Sequence, residues 1–316
     1  MREVKFSVFA DLHHWETVFY SNAFQRLEKI KNRAIEENVD FVIHCGDLCH
    51  APSKNTDIIK EYSNFPMPTY HCIGNHECEG DTYEQVLENY NLENGYYYFE
   101  RNGFRFIVMD LNYLRIDGNA VHYNLGNFFK SYPNKQLVTF NEEQFIWLEK
   151  TIMESPYPCV LFSHHSLERI NNGMSYDELK KVWDMLDRVN KDKQRVMMAI
   201  NGHHHKDNLR IFKGIAFLDL NSATYDWIDQ AHDKYPKELC ESYKLVANTL
   251  VWEDPVHAVV TLREDGYIKI EGMESKFIYG IDREAAGLPL GEHGRLCTPN
   301  VLSAELCLSM KGLANL

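Results

Sequence analysis

The residues best suited to chemistry stand on five short stretches. They are Asp11-Leu12-His13, Gly46-Asp47-Leu48-Cys49-His50, Gly74-Asn75-His76-Glu77, Ser163-His164-His165 and Gly202-His203-His204-His205. Each directly follows an apolar, β-like run, so each reads as a loop leaving a strand. Together they offer the carboxylates of Asp11 and Asp47, the amide oxygen of Asn75, and imidazoles from His13, His203, His205 and one of the pair His164/His165. That donor set is about right for two adjacent divalent cations, with Asp47 able to bridge them. Mixed nitrogen and oxygen donors with no thiolate suit Mn, Fe, Zn, Co or Ni better than Mg or Ca. On an extended chain alternate residues point to one side, so Asp-x-His and His-x-His each aim two donors together. Two cations roughly 3.5–4 Å apart clamp an in-line displacement at phosphorus and lower the pKa of a bound water toward about 7. A bridging hydroxide is then the expected nucleophile. Any one stretch alone is more often structural than catalytic; the weight lies in five occurring in order.

In this order the stretches resemble the motifs of the calcineurin-like metallophosphoesterase family, in its bacterial phosphodiesterase and phosphatase type. The match covers Asp11/His13, Gly46-Asp47/His50, Gly74-Asn75-His76-Glu77, His164 and Gly202-His203/His205, all within residues 6 to 205. The resemblance implies that Asp11, His13, Asp47 and His205 hold one metal and that Asp47, Asn75, His164 and His203 hold a second, with Mn foremost. It selects His164 over His165, which the spacing leaves open. It gives His76 the catalytic role of contacting the phosphate and assisting the leaving oxygen, and puts His50 and Glu77 behind the ligands as orienting groups. The implied fold is α/β, a four-layer sandwich of two packed mixed β-sheets with helices on both outer faces. The implied activity is hydrolysis of small phosphodiesters or phosphomonoesters. A nucleotide diphosphatase or a nuclease would use the same ligands. A scaffold that kept the fold and lost the chemistry would be expected to lack some of them, most tellingly the Asn75-His76 pair.

The bulk properties narrow the partners. The 316 residues carry a formal net charge of -13, which speaks against gripping long nucleic acid through its backbone. No apolar run approaches the length needed to span a membrane, and the first residues enter a strand at once. The expectation is a cytoplasmic protein with a small phosphate ester as its partner; oligomeric state is not legible. The eight cysteines read as free thiols, several of them in apolar strand runs.

The elements that must position the loops alternate between strand and helix. Residues 4–10, 40–45 and 68–73 read as strands, and 22–38 as a helix with a stripe of Phe24, Leu27, Ile30 and Ile35. Asn102-Gly103 predicts a type I′ hairpin turn between two β runs. Residues 111–139 lose periodicity and read as a cap insertion that could overhang the site. A helix over 141–155, capped by Asn141 or Thr139, precedes the strand 159–162; a helix over 175–190 precedes the strand 195–200. Further strands are expected at 208–212, 215–220, 258–262 and 267–270. The domain is expected to span 1–281, with 282–316 as a tail of unassigned role. Tyr225 and Trp227 are pocket candidates that could stack on a base or cover the site, or simply pack. His44 and His71 are expected in the core. His122, His232, His257 and His293 lie outside every motif and are expected at the surface.

Overall fold

Continuous apolar runs such as Phe41–Cys45 and Cys159–Ser163 bury both faces of a strand, which requires layers on either side. The computed structural model describes residues 1–137, 141–168, 176–228, 230–289 and 297–310. Thr139, Ser175 and His293 lie outside the described residues. Two six-stranded mixed sheets pack face to face. In spatial order the first runs Ala304–Cys307, Tyr267–Gly272, Ala258–Arg263, Glu3–Phe9, Phe41–Cys45, Thr69–Cys72. Its last three strands are parallel and the others antiparallel. The second runs Asn208–Phe212, Ile215–Asp219, Val196–Asn201, Cys159–Ser163, Phe104–Val108, Tyr97–Arg101. Its four central strands are parallel, with an antiparallel strand at each edge.

Within the apolar runs the side chains still alternate. Phe6, Val8, Phe41, Ile43, Phe106, Val108, Val160, Phe162, Met198 and Ile200 meet between the sheets. Val42 turns outward to Leu27 and Ile30 of the helix Ala23–Glu36. Ile107, Leu161 and Ala199 turn outward to the helices Glu142–Met153 and Tyr176–Val189. This is the helix–sheet–sheet–helix sandwich expected from the sequence.

Some expectations need correction. The buried stripe of the first helix is Ala23, Leu27, Ile30 and Ala34, with Arg26 alongside. Phe24 and Ile35 are exposed, because the 3.6-residue period starting from Ala23 passes them by. Residues 111–137 are not irregular throughout. Tyr113–Ile116 pairs with Asn119–His122 and with Gln136–Leu137 in a small antiparallel sheet. Its turn, Asp117-Gly118, has positive φ at both residues; this Asp-Gly signal was present in the sequence. His232 and His257 are buried, held by carbonyls of Thr249 and Pro255. Asn102 and Gly103 both adopt positive φ, as the hairpin reading requires. All eight cysteines are free. The chain beyond 282 supplies the edge strand Ala304–Cys307 of the first sheet. Among the described residues, no helix is long and apolar enough to cross a membrane.

The small sheet is fastened to the sandwich by an ion pair. His122 Nε2 lies 2.6 Å from Asp110 Oδ2, and Asp110 Oδ1 accepts from the backbone and side chain of Asn112. Burial alone would lower the His122 pKa, but the carboxylate holds it above the ordinary value. Burial would raise Asp110, but His122 and Asn112 hold it below. The histidine's contribution is therefore complete below its unfolded pKa of about 6.5 and is lost as pH rises through the folded value. The aspartate's is present above about 3.9 and is lost as pH falls through its depressed value. Denaturant unfolding of wild type and His122→Gln should differ by about 3 kcal/mol between roughly pH 4 and 6.5. The difference should shrink at higher pH; a gap that widens there would contradict the pairing.

Candidate metal centre

The five loops meet at one end of the sandwich, where the parallel strands of both sheets terminate. The first two are joined by backbone hydrogen bonds that run past the strand ends. Asp11, His13 and His14 donate to the carbonyls of Gly46, Asp47 and Leu48. Residues 222–224 close over the first loop: Ser222 Oγ donates to Asp11 O, and Thr224 Oγ1 to Leu12 O. Gly202 N donates to His164 O, which aligns the fourth and fifth loops.

The loops are not extended at the ligands. Asp11, His13, Asp47, His203 and His205 have φ of 56°, 54°, 58°, 71° and 48°. These are left-handed conformations that cost a non-glycine residue roughly 1–2 kcal/mol each. Strand alternation is therefore not what pairs Asp11 with His13 or His203 with His205; the kinked backbone does it. Such strain is held where surrounding structure over-determines it, and it gathers at functional sites. Gly74 meets the same crowding from the other side, since a Cβ there would overlap the Asp47 carboxylate.

The structure brings all seven expected metal ligands together, nearly all of them buried. Asp11, His13 and His205 form one group, and Asp11, Asp47 and His164 another, each with ligand atoms within 4.8 Å of one another. Asp47 Oδ2 lies 3.1 Å from His164 Nε2 and 3.9 Å from His13 Nε2, so it stands between the groups. Asn75 Oδ1 lies 3.1 Å from His164 Nε2 and 3.0 Å from His203 Nδ1.

Hydrogen bonds around the rim assign the ring protons. His205 Nδ1–H donates to Tyr225 O at 2.7 Å and His164 Nδ1–H to Cys45 O at 2.8 Å, so in the neutral form of either ring the lone pair lies on Nε2. His50 Nδ1–H donates to Glu79 Oε2 at 2.8 Å. Its Nε2 therefore accepts from His13 Nδ1 at 3.2 Å, and His13 Nε2 is also a lone pair. With both rings neutral, His13 Nε2 and His205 Nε2 face each other at 3.0 Å with no proton to share. Two buried lone pairs opposed beside two carboxylates are repulsive, and a cation relieves them. In the second group a proton on His164 Nε2, facing Asp47 Oδ2 at 3.1 Å, stands where a cation would. Burial would lower the His164 pKa, yet Asp47 and then Asp11 lift it to about 10. In His13, which is fully buried, and in half-buried His203, desolvation dominates and lowers the pKa well below the ordinary value, so neutral imidazoles are available as ligands. The residues present fit two cations.

Glu77 meets the centre through the backbone. Its carboxylate accepts from Asp47 N, Leu48 N and Gly74 N, and from the Tyr90 hydroxyl, at 2.7–3.0 Å. Burial and Asp47 push its pKa up to about 8, while all four partners are donors that serve the ionised form. His76 stands at the rim, with Nδ1 2.8 Å from Glu79 Oε2 and Nε2 3.9 Å from Asp47 Oδ2. Burial would lower its pKa; Asp47 and Glu79 raise it. His13, His50 and His76 form a third convergent group.

Glu79 was not singled out in the sequence. The signal was present, since Glu79 stands three residues after His76 and i, i+3 side chains meet on a helical turn. Its single oxygen Oε2 is bonded to both His50 and His76. His165 is in none of the convergent groups, packs on the His203 ring at 4.2 Å, and has no hydrogen-bond partner at Nδ1 among the described residues. His14 packs on Phe24. Tyr225 is fully buried with its ring on His13. Trp227 is half-buried, edge-on to Tyr225 and Phe19.

Comparison with known proteins points the same way. The family description "calcineurin-like phosphoesterase" matches residues 4–207. A dimetal phosphatase from Danio rerio superposes with a TM-score of 0.56 at 16% identity, covering 88% of this chain and 99% of that one. GAP50, the anchor in the inner membrane complex of Plasmodium, superposes with a TM-score of 0.55 at 12% identity, covering 99% of this chain and 91% of that one. Likeness at this level of identity establishes the fold. No curated protein matches the chain in sequence.

Glu77→Gln turns one acceptor oxygen into an NH₂ facing donors it cannot satisfy. Metal-free protein carrying it should lose about 2–4 kcal/mol of unfolding free energy in denaturant titrations. An unchanged stability would mean that the carboxylate does not join the second and third loops.

Proposed function

The chain belongs to the calcineurin-like phosphoesterase family, and on that premise we propose that it is a metal-dependent hydrolase of small phosphodiesters or phosphomonoesters. The observation that carries the reading is the opposition of the His13 and His205 lone pairs beside Asp11 and Asp47, an arrangement that calls for a cation. Asp11, His13, Asp47 and His205 would hold one divalent ion, and Asp47, Asn75, His164 and His203 the other. Manganese is the first choice, with Fe, Zn, Co and Ni compatible with the same donors. Bound there, the two ions would polarise the phosphoryl oxygens and supply a water acidic enough to attack phosphorus near neutral pH.

The chain's own groups do the rest. Glu77 holds the backbone of the Asp47 and Asn75 loops, so the ligands do not move apart when charge develops. Glu79 accepts from His76 Nδ1 and fixes the ring with Nε2 toward the cluster. His76 Nε2 is then placed to hold a proton for the departing alkoxide oxygen. His50 accepts from His13 and donates to Glu79, coupling the His13 and His76 rings through one carboxylate. The net charge of -13 supports a small ester over a long nucleic acid as substrate, and eight free thiols suit a reducing, cytoplasmic setting. A non-catalytic scaffold would have no need for seven convergent ligands.

The test is a hydrolysis screen on metal-stripped protein re-supplied with Mn, Fe, Zn, Co or Ni, using bis(p-nitrophenyl) phosphate and p-nitrophenyl phosphate. Metal-dependent cleavage is expected, and the preferred ester assigns the diesterase or monoesterase class. No cleavage of either ester with metal bound would overturn the reading. Two variants separate binding from chemistry. Asp47→Asn should lose metal, read by elemental analysis, together with activity. His76→Ala should keep its metal and lose about 10²–10⁴-fold in kcat.

A further inference from the structure

Among the described residues, the Tyr225 hydroxyl is the one tyrosine oxygen that is shut away from solvent and has no hydrogen-bond partner. Tyr90 donates to Glu77, and Tyr62 to the carbonyls of Val42 and Tyr70. Tyr235 accepts from Val251 N. Tyr225 is as deeply buried as any of these, yet its hydroxyl has no hydrogen-bond partner among the described residues. A buried hydroxyl left unpaired is costly, and such a group in a native fold calls for an explanation.

The surroundings of Tyr225 supply one. Its backbone carbonyl fixes His205, and its ring stacks on His13 at 5.2 Å and 22°. Phe19 and Trp227 enclose its other sides at 5.8 and 5.2 Å. Both faces of the ring are therefore spoken for, and the hydroxyl is the part left to meet a ligand. Three carboxylates, Asp47, Asp11 and Glu79, lie close enough for their charge to act on the phenol. Those three residues line the cluster and the rim beneath His76. The ring thus lies against His13 and His205 of the centre at 5.2 and 5.5 Å, while its hydroxyl bonds none of the three carboxylates.

We propose that the Tyr225 hydroxyl donates a hydrogen bond to a phosphoryl oxygen of the bound ester, as a further catalytic residue beside His76. This rests on the phosphoesterase reading and adds to it a neutral donor, supplied by the segment that follows the last histidine loop. An anionic phosphoryl oxygen is the acceptor this site would bring in that the protein itself withholds.

The experiment compares wild type with Tyr225→Phe, which keeps the ring and its stacking on His13. Manganese-loaded proteins are titrated with inorganic phosphate by calorimetry, metal content is measured, and metal-free proteins are melted. The expected result is unchanged metal content and phosphate affinity weakened about 10-fold or more, the size of a hydrogen bond to a charged group. Cleavage of bis(p-nitrophenyl) phosphate should fall by at least that factor. Metal-free Tyr225→Phe should melt no lower than wild type, since only an unpaired hydroxyl has been removed. Unchanged phosphate affinity would overturn the proposal. So would loss of metal, which would make the hydroxyl a metal ligand, or a lowered metal-free melting temperature, which would reveal a protein partner. If the wild type binds phosphate but cleaves no ester, the phosphoesterase reading fails, while the comparison of phosphate affinities still decides the role of Tyr225.

Discussion

Gathering two carboxylates and several imidazole lone pairs into one dry pocket is unfavourable, and the rest of the structure is arranged around that cost. Charged groups out of water are expensive unless paired and hydrogen-bonded. Here the compensation is backbone. Glu77 accepts from three main-chain N–H groups of the second and third loops, Asp47 accepts from His76 N, and Asp11 accepts from His203 N. Each carboxylate is thereby tied to a neighbouring loop, so no single ligand can relax away without breaking a second loop's contacts.

The sandwich makes this affordable. Phe6, Phe41, Phe106 and Phe162 interlock between the sheets with centroid spacings of 4.8–6.1 Å. Each large side chain fully buried in such a core contributes roughly 1.5–3 kcal/mol. A rigid floor of that kind can hold left-handed backbone at Asp11, His13, Asp47, His203 and His205, where a looser scaffold would let the loops straighten and the donors part. The two sheets end at the same side of the molecule, so ligands from strands more than a hundred residues apart in sequence meet over one core.

Much of this was legible in the sequence, for local reasons. Strand runs, the Asn102-Gly103 turn and the ligand-bearing loops are read from period, turn chemistry and residue type, all of which act over a few residues. The misses share a cause. Phe24 and Ile35 are apolar at near-helical spacing yet exposed, because the phase of the buried stripe is imposed by contact with the sheet. His232 and His257 were expected outside because burial depends on neighbours remote in sequence. The small sheet within 111–137 was overlooked because its short strands are mostly half-exposed and lack the apolar runs that mark the others. Glu79 escaped notice because its importance lies in the two imidazoles it serves, one of them 29 residues away.

What the sequence alone determined is the inventory: which donors exist, in what order, and that each leaves a strand. Those are properties of residue type and short-range spacing. What the tertiary structure decided is which nitrogen of each ring carries the proton, and which of His164 and His165 turns to the cluster. The tautomers of His164 and His205 are set by carbonyls of Cys45 and Tyr225, 119 and 20 residues distant, and that of His13 by a chain running through His50 to Glu79. A ring's lone pair goes where its other nitrogen's hydrogen bond sends it, and that bond exists only once the loops have met.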